Sequence, residues 1–239
     1  MVVNSHTSIK HPMKVTYYGH SSFGIEIAGK HLLFDPFITP NPLAASIKVS
    51  EIKVDYMLLS HAHMDHIADV PFIAENNEAM VVSNFELYEH FSKQCITKIR
   101  PMNPGGAFTT KEGITIKAVT AIHSSSFNDG SYGGVAMGYV ISSKEGSFYF
   151  AGDTALTYDM KLIGESTGLK FVMLPIGDNF TMGADDAIKA SRFLECDNII
   201  GMHYDTFDII KIDHNAAKAK FEKAGKKLTL FNIGETKEF

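Results

Sequence analysis

Little in this chain marks a secreted, membrane-spanning or nucleic-acid-binding protein. Its 239 residues include two cysteines, Cys95 and Cys196, far from the motifs described below. No disulfide framework follows from them, and a reducing cytoplasm is the expected setting. Cations are not in excess: 22 Lys and Arg against 27 Asp and Glu leave a net charge of −5. Nucleic-acid binders usually show the opposite balance, so no nucleic-acid partner is expected. Apolar runs fall well short of the roughly 18–20 residues needed to cross a bilayer. Residues 1–12 are polar, carry His6 and His11 and have no apolar stretch of the kind a secretory signal needs. They read as a disordered extension ahead of a single domain at 13–239. Pro- or Ser-rich linkers and visible repeats are missing too. A hydrophobic content of 45% suits one ordinary globular core.

What the chain does have is histidine and aspartate in telling places. Ser60-His61-Ala62-His63-Met64-Asp65-His66 puts four metal-capable side chains within six residues, directly after the apolar run 56–59. Imidazoles at i and i+2 would diverge by about 200° on a helix. On a loop leaving a strand they converge, with Asp65 and His66 following as the chain turns into a helix. Three lone ligand-type residues stand at the ends of other apolar runs: His123 after 114–122, Asp153 after 148–151, and His203 after 199–202. Strand ends are where α/β architectures gather active sites. Seven ligands suffice for two metals sharing one carboxylate, and imidazole with carboxylate suits zinc, iron or manganese.

Strand and helix candidates alternate along the chain. The runs 15–18, 23–27 and 31–34 read as a meander turned at Ala28-Gly29-Lys30. The segments 68–76, 85–93, 184–194 and 214–224 read as helices, with Ser83-Asn84 capping the second and Gly225 closing the last. The runs 135–142 and 147–151 read as another hairpin. This pattern alone specifies a mixed α/β fold.

The ordered set H-x-H-x-D-H, His, Gly-Asp-Thr and His resembles the metallo-β-lactamase superfamily. Tyr18-Gly19-His20-Ser21-Ser22-Phe23 and Leu33-Phe34-Asp35-Pro36 narrow the likeness to its uncharacterised metal-dependent hydrolases, near the ascorbate-6-phosphate lactonase-like branch. The resemblance spans residues 13–239 and implies a four-layer αββα sandwich. It implies His61, His63 and His123 around one metal, Asp65, His66 and His203 around a second, and Asp153 bridging them. Two divalent ions are implied, zinc by default with manganese or iron as alternatives. The nucleophile would be hydroxide generated on the metals, oriented by Asp65.

Around that centre several assignments remain open. Asp35 is either a partner fixing the tautomer of a ligating histidine or a turn residue before Pro36. His20 either meets substrate as an acid or is a buried, hydrogen-bonded histidine. Tyr204 either reaches the oxyanion or packs. Phe127, on a Gly-rich loop after His123, either touches substrate or belongs to a plain connection. The loop 177–183 departs from the family pattern at Asp178-Asn179, where small residues are expected. Asp153 stands where many true β-lactamases carry cysteine, which argues against antibiotic hydrolysis.

The combined expectation is a binuclear hydrolase acting on a small, anionic cytoplasmic lactone, ester or thioester. A phosphodiesterase on the same site is the alternative within catalysis. A metal- or metabolite-binding sensor is the alternative outside it, disfavoured by the complete ligand set. Neither substrate identity nor any homo-oligomer is legible.

Overall fold

The computed structural model describes residues 12–239; the segment 1–11, nearly all of the expected extension, lies outside the described residues. The first half of the chain forms β1 (Lys14–Gly19), β2 (Ser22–Ile27), β3 (Lys30–Phe34), β4 (Tyr56–Leu58), α1 (Met64–Ile67), α2 (Val70–Asn77), β5 (Met80–Ser83), α3 (Phe85–Ser92) and β6 (Ile99–Pro101). The second half forms β7 (Ala107–Thr109), β8 (Thr115–Thr120), β9 (Met137–Ser143), β10 (Gly146–Phe150), α4 (Asp159–Ser166) and β11 (Leu169–Pro175). It continues through α5 (Ala184–Phe193), β12 (Asn198–Met202), α6 (His214–Lys223) and β13 (Lys227–Thr229) to β14 (Thr236–Glu238). Two seven-stranded sheets result, ordered β14-β1-β2-β3-β4-β5-β6 and β13-β12-β11-β10-β9-β8-β7.

Side-chain alternation along the strands sets the layers. Leu33, Met57 and Val81 join Val70 and Ile73 of α2 and Leu87 and Phe91 of α3 in one apolar cluster. Their strand neighbours Phe34, Leu58 and Val82 join the larger cluster with Ile116, Tyr139 and Phe148 of the second sheet. Successive residues of a strand point to opposite faces, so one sheet serves two cores. Met160, Ala187 and Phe221 bring α4, α5 and α6 onto the far side of the second sheet. The architecture is the four-layer αββα sandwich.

Local chemistry explains most boundaries. Ala28 (φ 50°) and Gly29 (φ 72°) turn the chain between paired Ile27 and Lys30, the left-handed pair a tight hairpin requires. Asn84 caps α3 by accepting from the Leu87 N–H. The helix expected from residue 68 begins instead at Val70, with Pro71 in its first turn. The strand expected over 114–122 leaves its ladder after Thr120, because the Ile122 N–H donates to the Thr154 hydroxyl at 3.0 Å.

β3 through β6 run parallel, as do β10 through β13. Their C-terminal ends therefore open together, and the seam between the sheets is closed there by two cross-links. The Met137 N–H donates to the Ser60 carbonyl at 3.0 Å, and the His203 N–H to the His20 carbonyl at 3.0 Å.

Candidate metal centre

His61 leaves the end of β4, and His63 takes the cap position of α1 with extended backbone. That single bend turns both rings the same way, so His61 Nε2 and His63 Nδ1 stand 2.9 Å apart. His123, beyond β8, completes a group of three imidazoles with ligand atoms within 4.8 Å of one another. The spacing is held from behind: the Ala62 N–H, between the two histidines, donates to the Ser125 hydroxyl at 3.2 Å. Ser125 in turn donates to the Gly133 carbonyl at 3.0 Å. The Gly-rich loop after His123 thus braces the His-Ala-His turn. Gly133 sits so close to Ala62 that any Cβ would collide with it. Burial lowers the affinity of His61, His63 and His123 for protons, which leaves neutral rings with a free lone pair.

A second group gathers His20, Asp65, His66 and His203 within the same 4.8 Å limit. Asp153 joins the two groups. Its Oδ2 lies 2.9 Å from His203 Nε2, 3.3 Å from His66 Nε2 and 3.5 Å from His123 Nε2. The backbone that delivers it is demanding: Gly152 has φ 61°, and a Cβ there would stand 2.8 Å from both the Ser60 Cβ and the Met137 carbonyl oxygen. Only glycine meets both conditions cheaply. Burial opposes charge on His66, yet Asp153, Asp65 and Asp35 together raise its proton affinity well above the ordinary value. Asp153 is held ionised despite burial by His66 and His203, and Asp65 by His66 and His20. Three carboxylates, two of them buried, crowd one imidazole and call for a cation.

Ligand spacing fits such a cation. An ion bonded tetrahedrally at about 2.0–2.1 Å puts its ligands about 3.3 Å apart. The separations of 2.9, 3.3 and 3.5 Å around Asp153 bracket that value. His66 Nε2 and Asp153 Oδ1 are buried and lack hydrogen-bond partners among the described residues, the state of donor atoms awaiting a ligand.

Asp35 sits behind both groups, fully buried at φ 41°. It accepts from the Ser60 N–H at 2.7 Å, the Ser60 hydroxyl at 2.6 Å and His66 Nδ1 at 2.8 Å. The Ser60 hydroxyl also lies 2.8 Å from His61 Nδ1. One carboxylate therefore fixes the tautomer of His66 directly and of His61 through Ser60, turning both Nε2 atoms toward the centre. Of the two readings left open for Asp35, the geometry selects the partner role. Ser60 was not singled out from the sequence, although it immediately precedes His61.

His20 is held at φ 56° with a side chain closed to solvent. Its Nε2 meets Asp65 Oδ2 at 3.0 Å and its Nδ1 meets the Thr206 hydroxyl at 2.9 Å. Phe37 and Phe207 pack edge-on against the ring at 5.7 and 5.5 Å and shut it off from the cavity. Burial, then His203, pulls its pKa down to about 4. The imidazole is neutral at pH 7, donates to Asp65 and accepts from Thr206. Of the two readings left open for His20, these contacts describe the buried, hydrogen-bonded histidine.

A cavity of about 650 Å³ opens over His63, Asp65, His123, Asp153 and His203, lined also by Phe37, Met64, Ser124, Phe180, Phe207 and Ile209. Tyr204 and Phe127, expected near substrate, do not line it. Tyr204 is buried beside Tyr17 with ring centroids 6.4 Å apart. Phe127 stacks on His90 at 4.1 Å, against the outer core. Phe180 was missed because its loop looked aberrant. Asp178 (φ 63°) and Asn179 (φ 57°) are both left-handed, a conformation these two residue types tolerate, so the turn forms without small residues. It is pinned beside the centre by the Met182 N–H donating to the Thr154 carbonyl at 3.0 Å. Among the described residues the lining carries no Lys or Arg.

Comparison with known proteins accords with this geometry. The profile of the beta-lactamase superfamily domain matches residues 30–204. A UPF0173 metal-dependent hydrolase of Flavobacterium johnsoniae is 52% identical over 226 residues, covering 95% of this chain and 100% of that protein. Another from Methylacidiphilum infernorum is 47% identical over 224 residues, covering 94% and 99%. The solved structure of Igni18, a metallo hydrolase from Ignicoccus hospitalis, superposes with a TM-score of 0.87 at 34% identity, covering 96% of this chain and 99% of that one. Likeness specific to the ascorbate-6-phosphate lactonase branch is not among these matches. The chain belongs to the UPF0173 metal-dependent hydrolases of the beta-lactamase superfamily.

Proposed function

We propose that this chain is a binuclear metal-dependent hydrolase that opens a lactone, ester or thioester of a small molecule. The observation that carries the reading is Asp153 Oδ2, within 3.5 Å of His123 on one side and within 3.3 Å of His66 and His203 on the other. A carboxylate in that position could serve two ions at once. His61, His63 and His123 would hold one ion, Asp65, His66 and His203 the other, with zinc the first expectation and manganese or iron the alternatives. Such a pair, when bound, supplies an acidified water and a Lewis acid for the electrophile.

The chain's own groups do the rest. Asp65 is the half-open carboxylate of the centre, with a side chain 26% exposed toward the cavity. His20 fixes its Oδ2, which leaves Oδ1 to accept a hydrogen bond from the attacking water and orient it. Ser124, with its hydroxyl 3.4 Å from His63 Nε2, is the polar non-ligand of the lining. It is the group in reach to donate to the carbonyl or leaving oxygen. The apolar walls limit water around the reacting bond, which strengthens each electrostatic contact there. No helix among the described residues is long and apolar enough to cross a membrane. A cytoplasmic setting belongs to the same proposal, supported by the two free thiols.

The test is elemental analysis of the purified protein beside assays on a lactone, an aryl ester, a thioester and a bis-aryl phosphodiester. Two equivalents of metal with acyl turnover are expected. Turnover of the phosphodiester alone would replace acyl by phosphoryl chemistry. Fewer than one equivalent, not restored by zinc or manganese, would refute the reading.

A further inference from the structure

Five apolar side chains stand around the mouth of the centre, and each arrives on a segment that also anchors it. Phe37 follows Asp35 by two residues, and Met64 lies between His63 and Asp65. Phe180 tops the turn bonded to Thr154, next to Asp153. Phe207 and Ile209 follow His203 on the loop whose Thr206 holds His20. Met64, Phe180, Phe207 and Ile209 remain 44%, 54%, 40% and 60% exposed. Large apolar groups left open to water together, on one rim, usually mark a binding surface.

The charge balance points the same way. Asp65 and Asp153 line the cavity with Asp35 behind them on His66, and among the described residues no Lys or Arg lines it. Two divalent ions would bring four positive charges. The three carboxylates and a deprotonated nucleophile offset all four, so no surplus is left to recruit an anion. A second charge on the substrate, away from the reacting carbonyl, would lie against Phe180, Phe207 and Ile209. Desolvating it there without a partner is costly.

From this we infer that the substrate is uncharged and carries an apolar or aromatic group next to the scissile acyl bond, seated on Phe180, Phe207 and Ile209. The inference rests on the hydrolase reading above and stands against the anionic substrate expected from the sequence. Phe37 and Phe207 form the inner wall, a packed aromatic pair with ring centroids 6.5 Å apart and planes at 44°. Phe180 and Ile209 form the outer lip.

A matched pair of ligands tests it on the metal-loaded full-length protein. N-phenylbutanamide is neutral, and N-phenylsuccinamic acid carries a carboxylate at the end of the same chain. Binding is measured by calorimetry, and turnover with the corresponding phenyl esters. The neutral amide should bind about tenfold more tightly or better, the size of effect a few apolar contacts give. Phe180→Ala and Ile209→Ala, both on the outer lip, should each weaken the neutral ligand several-fold and the anionic one by less, so that the preference narrows. Phe180→Lys should narrow or reverse the preference. Equal or tighter binding of the anionic amide in the wild type would overturn the inference. So would lip variants that leave neutral binding unchanged, or that break up an oligomer in sedimentation while neither amide binds; the rim would then be covered by a second copy. Preference for the neutral amide with no ester hydrolysed would uphold the apolar seat and refute the hydrolase reading beneath it.

Discussion

Asp35→Asn is the substitution whose consequence the geometry fixes most closely. Three donors converge on this carboxylate: the Ser60 N–H on Oδ1, and the Ser60 hydroxyl and His66 Nδ1 on Oδ2. Asparagine has the same shape and tolerates the left-handed φ of 41°. Its NH2, however, must replace one of the two oxygens and face a donor. Placed at Oδ2 it confronts two donors, placed at Oδ1 only one, so the amide turns its NH2 to the Ser60 backbone. That orientation orphans a buried N–H and converts the two remaining bonds from charged to neutral. A lost bond to a charged group is worth about 1.5–3 kcal/mol, so unfolding free energy should fall by about 2–3 kcal/mol. His66 and His61 keep their tautomers on a weaker acceptor, and metal affinity should fall at least about tenfold, the lower end for loss of such partners. Denaturant unfolding reads the first quantity and calorimetric zinc titration of the stripped protein reads the second. Wild-type affinity for two equivalents together with unchanged stability would refute the idea that Asp35 sets the tautomers of both rings.

Other expectations follow from the same contacts. Asp153→Ala removes the atom shared by His123, His66 and His203, so metal content should drop from two equivalents to one or fewer, with activity lost alongside; elemental analysis showing two would sink the bridging role. Thr206→Val leaves His20 Nδ1 without its donor and frees Asp65 to turn, which should lower kcat with little change in KM, whereas Thr206→Ser restores it. Equal kinetics in all three proteins would show that the chain Thr206–His20–Asp65 does not position the carboxylate. For pH, His20 has its pKa depressed from 6.5 to about 4 in the fold. Between those values the unfolded chain holds more protons on this residue. Its contribution is therefore complete above pH 6.5 and lost as pH falls toward 4, at up to about 1.4 kcal/mol per unit. The metal-free protein should lose stability more steeply between pH 7 and 5 than its His20→Asn variant, and parallel curves would contradict the assignment.

Much of the fold was legible because burial writes itself into spacing. Strands β2, β3, β9 and β10 were found from apolar alternation and tight turns, and α5 and α6 from caps and closing glycine. What escaped were elements too short or too exposed to carry a pattern. β6 (Ile99–Pro101), β7 (Ala107–Thr109) and β14 (Thr236–Glu238) have three residues each and no fully buried position. They exist because a neighbouring strand offers an unpaired edge, which is a fact about tertiary structure rather than about their own residues.

The centre divides along the same line. Candidate ligands are local: His61, His63 and Asp65 stand out because a metal needs particular donor atoms and a strand end needs a particular spacing. The groups that decide what those ligands do are contributed from a distance. His20 lies 45 residues from Asp65 and 186 from Thr206, and only the sheet seam brings them together. A buried histidine and a catalytic one look identical in a sequence. Two phenylalanine rings packed over the imidazole tell them apart. The walls proposed for substrate are hidden for the same reason. Phe37, Phe180 and Phe207 resemble any of the chain's 17 phenylalanines until the fold leaves two of them open at the mouth of the centre. On the reading proposed here the candidate ligands are encoded in motifs, while the apolar walls depend on which loops the strand ends bring face to face. Relatives that keep every ligand can therefore differ in substrate by exchanging the residue at position 180 or 209 alone, an expectation that the lip variants examine directly.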